Sequence, residues 1–154
     1  MVQFLILFHS QEYGNTQAMA EAIAIGAKAG GANVTLINTN NQRMEIEEYR
    51  KFDAVAFGSP DYYSYIAGGL KVFVDDLYIE KKRNRTGLEN KPYGLFYSHG
   101  GGGRVRDSFE KLFSVMKIGT KIGKTIESYG YPSKSVIEAC HELGKQLVEI
   151  VKKQ

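Results

Sequence analysis

Cysteine is almost missing: Cys140 is the only one in 154 residues. No internal disulfide can form, and a reducing cytoplasm is the expected compartment. Long apolar runs are missing too. None approaches the roughly 18 residues of a membrane span, so no membrane contact is expected. Met1-Val2-Gln3 lacks the basic flank of an export signal, and the apolar run behind it is too short for one. No linker, repeat or low-complexity stretch divides the chain, which reads as a single domain over residues 1–154. No His, Cys, Asp or Glu set has metal-ligand spacing, so no metal is expected, and no Ser/His/acid set is placed for nucleophilic catalysis. The phosphate loop G-x-x-x-x-G-K-[ST] is absent. So is G-x-G-x-x-G after the first strand with an acid about 20 residues on. The first strand also lacks the acidic pair with which a receiver domain holds magnesium.

The net charge is only +3, but it is unevenly spread. Residues 1–76 carry 5 basic and 9 acidic groups, against 15 and 8 in residues 77–154. Such an asymmetry raises nucleic acid as a partner. The densest run, Lys81-Lys82-Arg83-Asn84-Arg85, has no interleaved aromatics on which bases would stack. It reads as a solvated basic face, with Lys117, Lys121, Lys152 and Lys153 at the same end, and no nucleic-acid partner is expected.

Against these absences stands a regular alternation. Apolar runs of strand length fall at Val2–Phe8, Val34–Ile37, Ala54–Phe57, Tyr93–Tyr97 and about Thr120–Ile126. The first and third are apolar on both faces, as strands buried inside a parallel sheet are. Helical periods lie between them. One runs from Gln17 to about Lys28. A weak one covers Glu45–Lys51. Stripes follow at Ile66, Leu70, Phe73, Val74 and Leu77, and at Val105, Phe109, Leu112, Phe113 and Met116. The last, Val136, Cys140, Leu143, Leu147 and Ile150, opens just after Pro132 with Ser135 and Glu138 in capping-box spacing. Cys140 therefore reads as core. The pattern predicts an α/β protein, a doubly wound three-layer α/β/α arrangement on a five-stranded parallel sheet. Ligands of such sheets bind outside the carboxyl ends of the strands, where the strand order switches.

Three loops of unusual composition stand at those ends. The first, Ser10-Gln11-Glu12-Tyr13-Gly14-Asn15-Thr16, joins the first strand to the first helix. Unpartnered N–H groups and the dipole at a helix start attract anions, and Gly14 lets the backbone approach a phosphate closely. Ser10, Asn15 and Thr16 add side-chain donors. Glu12 beside a phosphate is unfavourable and is left out of the site. The second loop, Ser59-Pro60-Asp61-Tyr62-Tyr63-Ser64-Tyr65, gathers three tyrosines that can stack on a planar ring. The third, Ser98-His99-Gly100-Gly101-Gly102-Gly103-Arg104, is costly to order, and its N–H groups can donate to ring carbonyls. His99 is a candidate ring contact, although a lone loop histidine is more often a solvated bystander.

Together these loops resemble those of the flavodoxin-like FMN-binding family, and the likeness runs over the whole chain. Ser10 to Thr16 is similar to the family's S/T-x-T-G-N-T phosphate loop with one extra residue before Gly14, a spacing found in flavodoxin domains of diiron flavoproteins. Gly58-Ser59-Pro60 with its aromatics, then Ile66-Ala67-Gly68, resembles the segment that covers the flavin. Ser98 to Gly103 resembles the loop on the pyrimidine side. The resemblance implies FMN as cofactor and strand order 2-1-3-4-5. It also implies a short-chain form, without the extra loop that interrupts the fifth strand of longer members.

Two functions fit one FMN site, and in both the flavin does the chemistry, so no protein side chain is expected to be catalytic. The first is an electron-transfer carrier between redox partner proteins, expected as a monomer or weak homo-oligomer. The alternative is an NAD(P)H-dependent quinone or FMN reductase doing two-electron chemistry. A flavin-free binding module is a further alternative, against which the intact Ser10, Asn15 and Thr16 argue. Carriers of this family often stabilise the one-electron-reduced flavin by turning a glycine peptide toward N5. No glycine lies between Gly58 and Gly68, so a turn there meets a side-chain penalty, and weak stabilisation of that form is expected. Near the flavin, Arg104 and Arg106 are the basic residues available to an acidic partner or to the phosphate of NADPH.

Overall fold

Two interleaved apolar faces on the central strands dictate the layers. In the computed structural model, which describes all residues 1–154, strand β1 (Gln3–Phe8) sends Phe4, Ile6 and Phe8 to one side and Leu5 and Leu7 to the other. Strand β3 (Ala54–Pro60) does the same with Ala54 and Ala56 against Val55 and Phe57. With β2 (Asn33–Asn38), β4 (Tyr93–His99) and β5 (Ile126–Tyr129) they form one sheet, ordered β2-β1-β3-β4-β5. All neighbouring strands are parallel.

Helices α1 (Asn15–Ala29) and α5 (Lys134–Lys152) cover the Phe4 side. The short α2 (Ile46–Tyr49), α3 (Gly68–Arg83) and α4 (Val105–Val115) cover the Leu5 side. That side is aromatic: Tyr49, Phe57, Phe73, Phe109 and Phe113 lie within tilted or edge-on contact of one another. Cys140 is fully buried on α5, and burial pushes its thiol up to about 12, as an inert core residue requires. No helix is long and apolar enough to cross a membrane.

Three local expectations are corrected. Residues around Lys121 make only a single bridge to Tyr93, after which the chain turns at Gly123 (φ 68°), and the true fifth strand starts at Ile126. This excursion lasts a few residues and is no inserted loop. Helix α5 is capped two residues earlier than Ser135: Ser133 Oγ accepts from the Val136 N–H at 3.3 Å, and no capping box forms. Helix α1 starts at Asn15 rather than Gln17, which puts Asn15 and Thr16 in its first turn. The basic run closes α3, at the amino ends of the strands. There Lys81 Nζ donates to the Met116 carbonyl at 2.7 Å and faces Glu89 at 3.5 Å.

Two glycines let α1 and α5 touch backbone to backbone. A Cβ on Gly144 would fall 2.3 Å from the Ile23 carbonyl oxygen, and one on Gly26 would fall 1.9 Å from that of His141. Neither obstacle is a side chain that can swing aside. Replacing Gly144 by Ala should therefore destabilise the fold by roughly 1–3 kcal/mol or more, despite the better helix propensity of alanine. Denaturant unfolding of Gly144→Ala measures this, and an unchanged or raised midpoint contradicts the packing described.

Candidate functional site

The carboxyl ends of β1, β3 and β4 meet where the strand order reverses, and the three loops leaving them border one cleft of about 310 Å3. Loop one gives the cleft Ser10, Gln11, Tyr13, Asn15 and Thr16, together with Glu12, which the sequence reading had left out. Loop two adds Pro60, Asp61 and Tyr62; loop three adds Ser98, His99 and Gly100. Gly130, after β5, completes the lining and carried no signal in the sequence.

Loop one leads into a helix start that no side chain caps. Gly14 precedes α1 in the left-handed region (φ 77°). The first-turn N–H groups are therefore left pointing into the cleft mouth, where an anion is their natural acceptor. The turn is held from outside by a residue the sequence did not single out. Asn38, last in β2, accepts from the Ser10 N–H at 3.0 Å and donates to the Ser10 carbonyl at 2.8 Å. His9, also buried, bridges Thr39 Oγ1 (2.8 Å) and the Gln11 side chain (2.6 Å), and so aims Gln11. Thr16 is buried and its hydroxyl meets Ser98 Oγ at 2.8 Å, which ties loop one to β4. Tyr13 stands exposed at the rim. Burial and then the Glu12 carboxylate raise the phenol of Tyr62.

Loop two is organised by Asp61 and Ser59. Ser59 is fully buried beneath the loop; its hydroxyl accepts from the Ala67 N–H at 2.9 Å and donates to the Pro60 carbonyl at 2.7 Å. It shapes the loop and does not face the cleft. Asp61 accepts from Ser64 N–H at 2.8 Å and from Val105 N–H at 3.2 Å, so it also caps the start of α4. Tyr62 and Tyr65 exchange both backbone hydrogen bonds at 3.1 Å around Tyr63 (φ 56°) and Ser64 (φ 65°). This corrects one expectation. Left-handed geometry, which costs a side-chain residue about 1–2 kcal/mol, is already present in the resting loop. A peptide flip is resisted instead because both backbone groups of Ser64 are held, its carbonyl by Ser108 Oγ at 2.9 Å. Tyr63 and Tyr65 lie beyond the cleft lining, with Tyr63 fully exposed.

In loop three, a Cβ added to Gly100, Gly101 or Gly102 would meet nothing within 4 Å, so the protein itself does not crowd them. Of the three, only Gly100 borders the cleft. Gly103 differs: its φ is 66°, and a Cβ there would lie 2.8 Å from Glu127 Oε2. His99 is no solvated bystander, because its side chain is only 7 % exposed and sits 3.3 Å from Glu127. Arg106 folds back over the Tyr97 ring at 5.7 Å, with its guanidinium 3.9 Å from Glu127. The Tyr97 hydroxyl donates to Glu127; burial first, and then that bond, push the phenol up to about 12.

The site therefore joins an uncapped helix start, hydroxyls, an aromatic loop and an open glycine loop, as a planar ligand with an anionic tail requires. Residues 6–151 match the Flavodoxin family. The chain is a member of that family. FMN is the family's cofactor, and the donor set of this cleft fits it. A flavodoxin from the domain Archaea superposes with a TM-score of 0.83 at 23% identity, covering 98% of this chain and 99% of that one. An NAD(P)H dehydrogenase (quinone) of Archaeoglobus fulgidus is 25% identical across 197 aligned positions that take in 99% of each chain. A nitric oxide reductase of Moorella thermoacetica is 28% identical over 86% of this chain, which spans 32% of its length.

Because Asn38 holds both backbone groups of Ser10, Asn38→Ala should lower stability by about 1–3 kcal/mol. Hydrogen exchange should also quicken in residues 10–16. Unchanged exchange there would show that loop one is fixed by other contacts.

Proposed function

We propose that the chain is an FMN-dependent electron carrier, working in the cytoplasm between redox partner proteins. The observation that carries this reading is the cleft itself: about 310 Å3, open at the sheet edge and walled by three loops. That volume is at the lower end of ligand sites. It suits one cofactor with its edge turned to a docking protein.

The residues divide the work. The first turn of α1, with Ser10, Gln11, Tyr13, Gly14, Asn15 and Thr16, would take the phosphate by charge-assisted hydrogen bonds. Tyr62 would lie along the ring, with Tyr63 and Tyr65 at its rim and Pro60, Asp61 and Ser64 setting their positions. Ser98, His99 and Gly100 to Gly103 would meet the pyrimidine side with backbone N–H donors. When bound, FMN supplies the redox chemistry, and the chain sets its position, hydration and potential. Glu12, which lines the cleft, would place negative charge near the bound flavin and so disfavour its reduced, anionic form.

A second reading, an NAD(P)H-dependent reductase of quinones or flavins, has one structural observation behind it. The Tyr63–Ser64 turn is tied at both Ser64 backbone groups, which works against the peptide flip useful to a one-electron carrier. The Archaeoglobus relative carries such an activity in its name. Its alignment, however, runs to 197 positions for a chain of 154 residues, so that protein has segments without counterpart here.

Steady-state assay separates the two. FMN-loaded protein given NADH or NADPH and a quinone should show no turnover alone, and should pass electrons only when a separate flavoprotein reductase is added. Sustained NAD(P)H oxidation by the purified chain alone would overturn the carrier reading.

A further inference from the structure

Loop three has no side chains of its own over four successive residues, and it is anchored by the largely buried His99 side chain, with Glu127 and Tyr129 of β5 beside it. His99, at the end of β4, pairs with Tyr129 across the sheet, and its ring lies edge-on to that tyrosine at 5.1 Å. Gly101 donates its N–H to His99 Nδ1 at 3.1 Å. No other side chain bonds the backbone of Gly100 to Gly103. An imidazole nitrogen that accepts a hydrogen bond carries no proton, so the neutral ring holds its proton on Nε2. That nitrogen faces Glu127 Oε2 at 3.3 Å. The far end of the loop closes on the same pair, since Gly103 packs against both Glu127 Oε2 and His99 Nε2.

We propose that His99 is a positioning residue: its bare Nδ1 fixes the Gly100–Gly103 loop in the shape that receives the flavin, and a proton on Nδ1 releases it. Nδ1–H and Gly101 N–H are both donors and cannot face each other, so protonation removes the only side-chain anchor of the loop. FMN affinity is thereby coupled to one proton at His99. The charged and titratable groups around the ring come from three elements. Glu127 on β5 places a carboxylate beside Nε2, Arg106 on α4 sets a guanidinium 3.9 Å from that carboxylate, and the phenol rings of Tyr97 on β4 and Tyr129 on β5 flank the imidazole. The proposal rests on FMN binding at this cleft.

Two measurements test it separately from that premise. Nitrogen NMR of the imidazole in the flavin-free protein at about pH 8 should show the Nε2–H tautomer with an unprotonated Nδ1. A proton on Nδ1 in the neutral ring would overturn the proposal whether or not FMN binds. FMN dissociation constants, from flavin fluorescence quenching, are then compared between wild type and His99→Phe across about pH 5 to 8. The phosphate's own ionisation near pH 6 affects both proteins alike, so their ratio is the quantity read. The variant should bind about tenfold more weakly near pH 8, the worth of one hydrogen bond. The ratio should fall toward one near pH 5, and a ratio independent of pH would refute the latch. Glu127→Gln, which keeps the histidine but removes the carboxylate beside Nε2, should move the step to lower pH. Should neither wild type nor variant bind FMN at any pH, the cofactor site itself fails, and the tautomer measurement still judges His99.

Discussion

The uncapped amino end of helix α1 is the feature on which the site depends. Most helices satisfy their first N–H groups with a side chain at the cap. Here Gly14 occupies that position in a left-handed conformation, and no side chain caps the helix. The first N–H groups of the helix are thus left without a side-chain acceptor, and the proposed phosphate would supply one. The hydroxyls of Ser10 and Thr16 and the amide of Asn15 cluster at the same place because β1 ends there and α1 begins there.

What surrounds that helix end is built to stay put. Asn38 fixes loop one from β2, and Thr16 meets Ser98 on β4. Asp61 ties loop two to the start of α4, and His99 holds loop three from β4. The bonds of Asn38, Thr16 and Asp61 each join segments distant in sequence, so loops one and two are braced by the sheet more than by their own turns, whereas the His99–Gly101 bond spans only two residues. Bracing of this kind removes ordering cost from ligand binding. The Tyr63–Ser64 turn is held in the same way, by Asp61 at the Ser64 N–H and by Ser108 at its carbonyl.

Much of this was legible in the residues. Double-faced apolar strands such as Phe4–Phe8 can sit only inside a sheet covered on both sides, and alternation with helical stripes then leaves few topologies. The three loops could be located because each ends an apolar run with an abrupt change in composition. Less visible were the contacts that cross the sheet. Asn38 and Glu127 look like ordinary surface residues in sequence, and only the strand order brings them beside the loops; Arg106 was noticed as a cation near the site, but its fold back over Tyr97 toward Glu127 was not visible. The fifth strand was misplaced because Thr120 and Ile122 are β-branched and strand-like, while pairing is lost at Gly123, whose φ of 68° turns the chain. Ser133 and Ser135 are equivalent in type, and only the extended backbone of Ser133 after Pro132 selects it as the cap of α5.

The central claim is that the phosphate of the cofactor is held at the first turn of α1. Comparing the affinities of FMN and riboflavin for the flavin-free protein tests it most directly, since the two ligands differ only in that group. Hydrogen bonds to a charged phosphate are worth about 1.5–3 kcal/mol each, so riboflavin should bind at least about a hundredfold more weakly. Equal affinities for the two flavins would contradict the claim and move the binding energy elsewhere in the cleft.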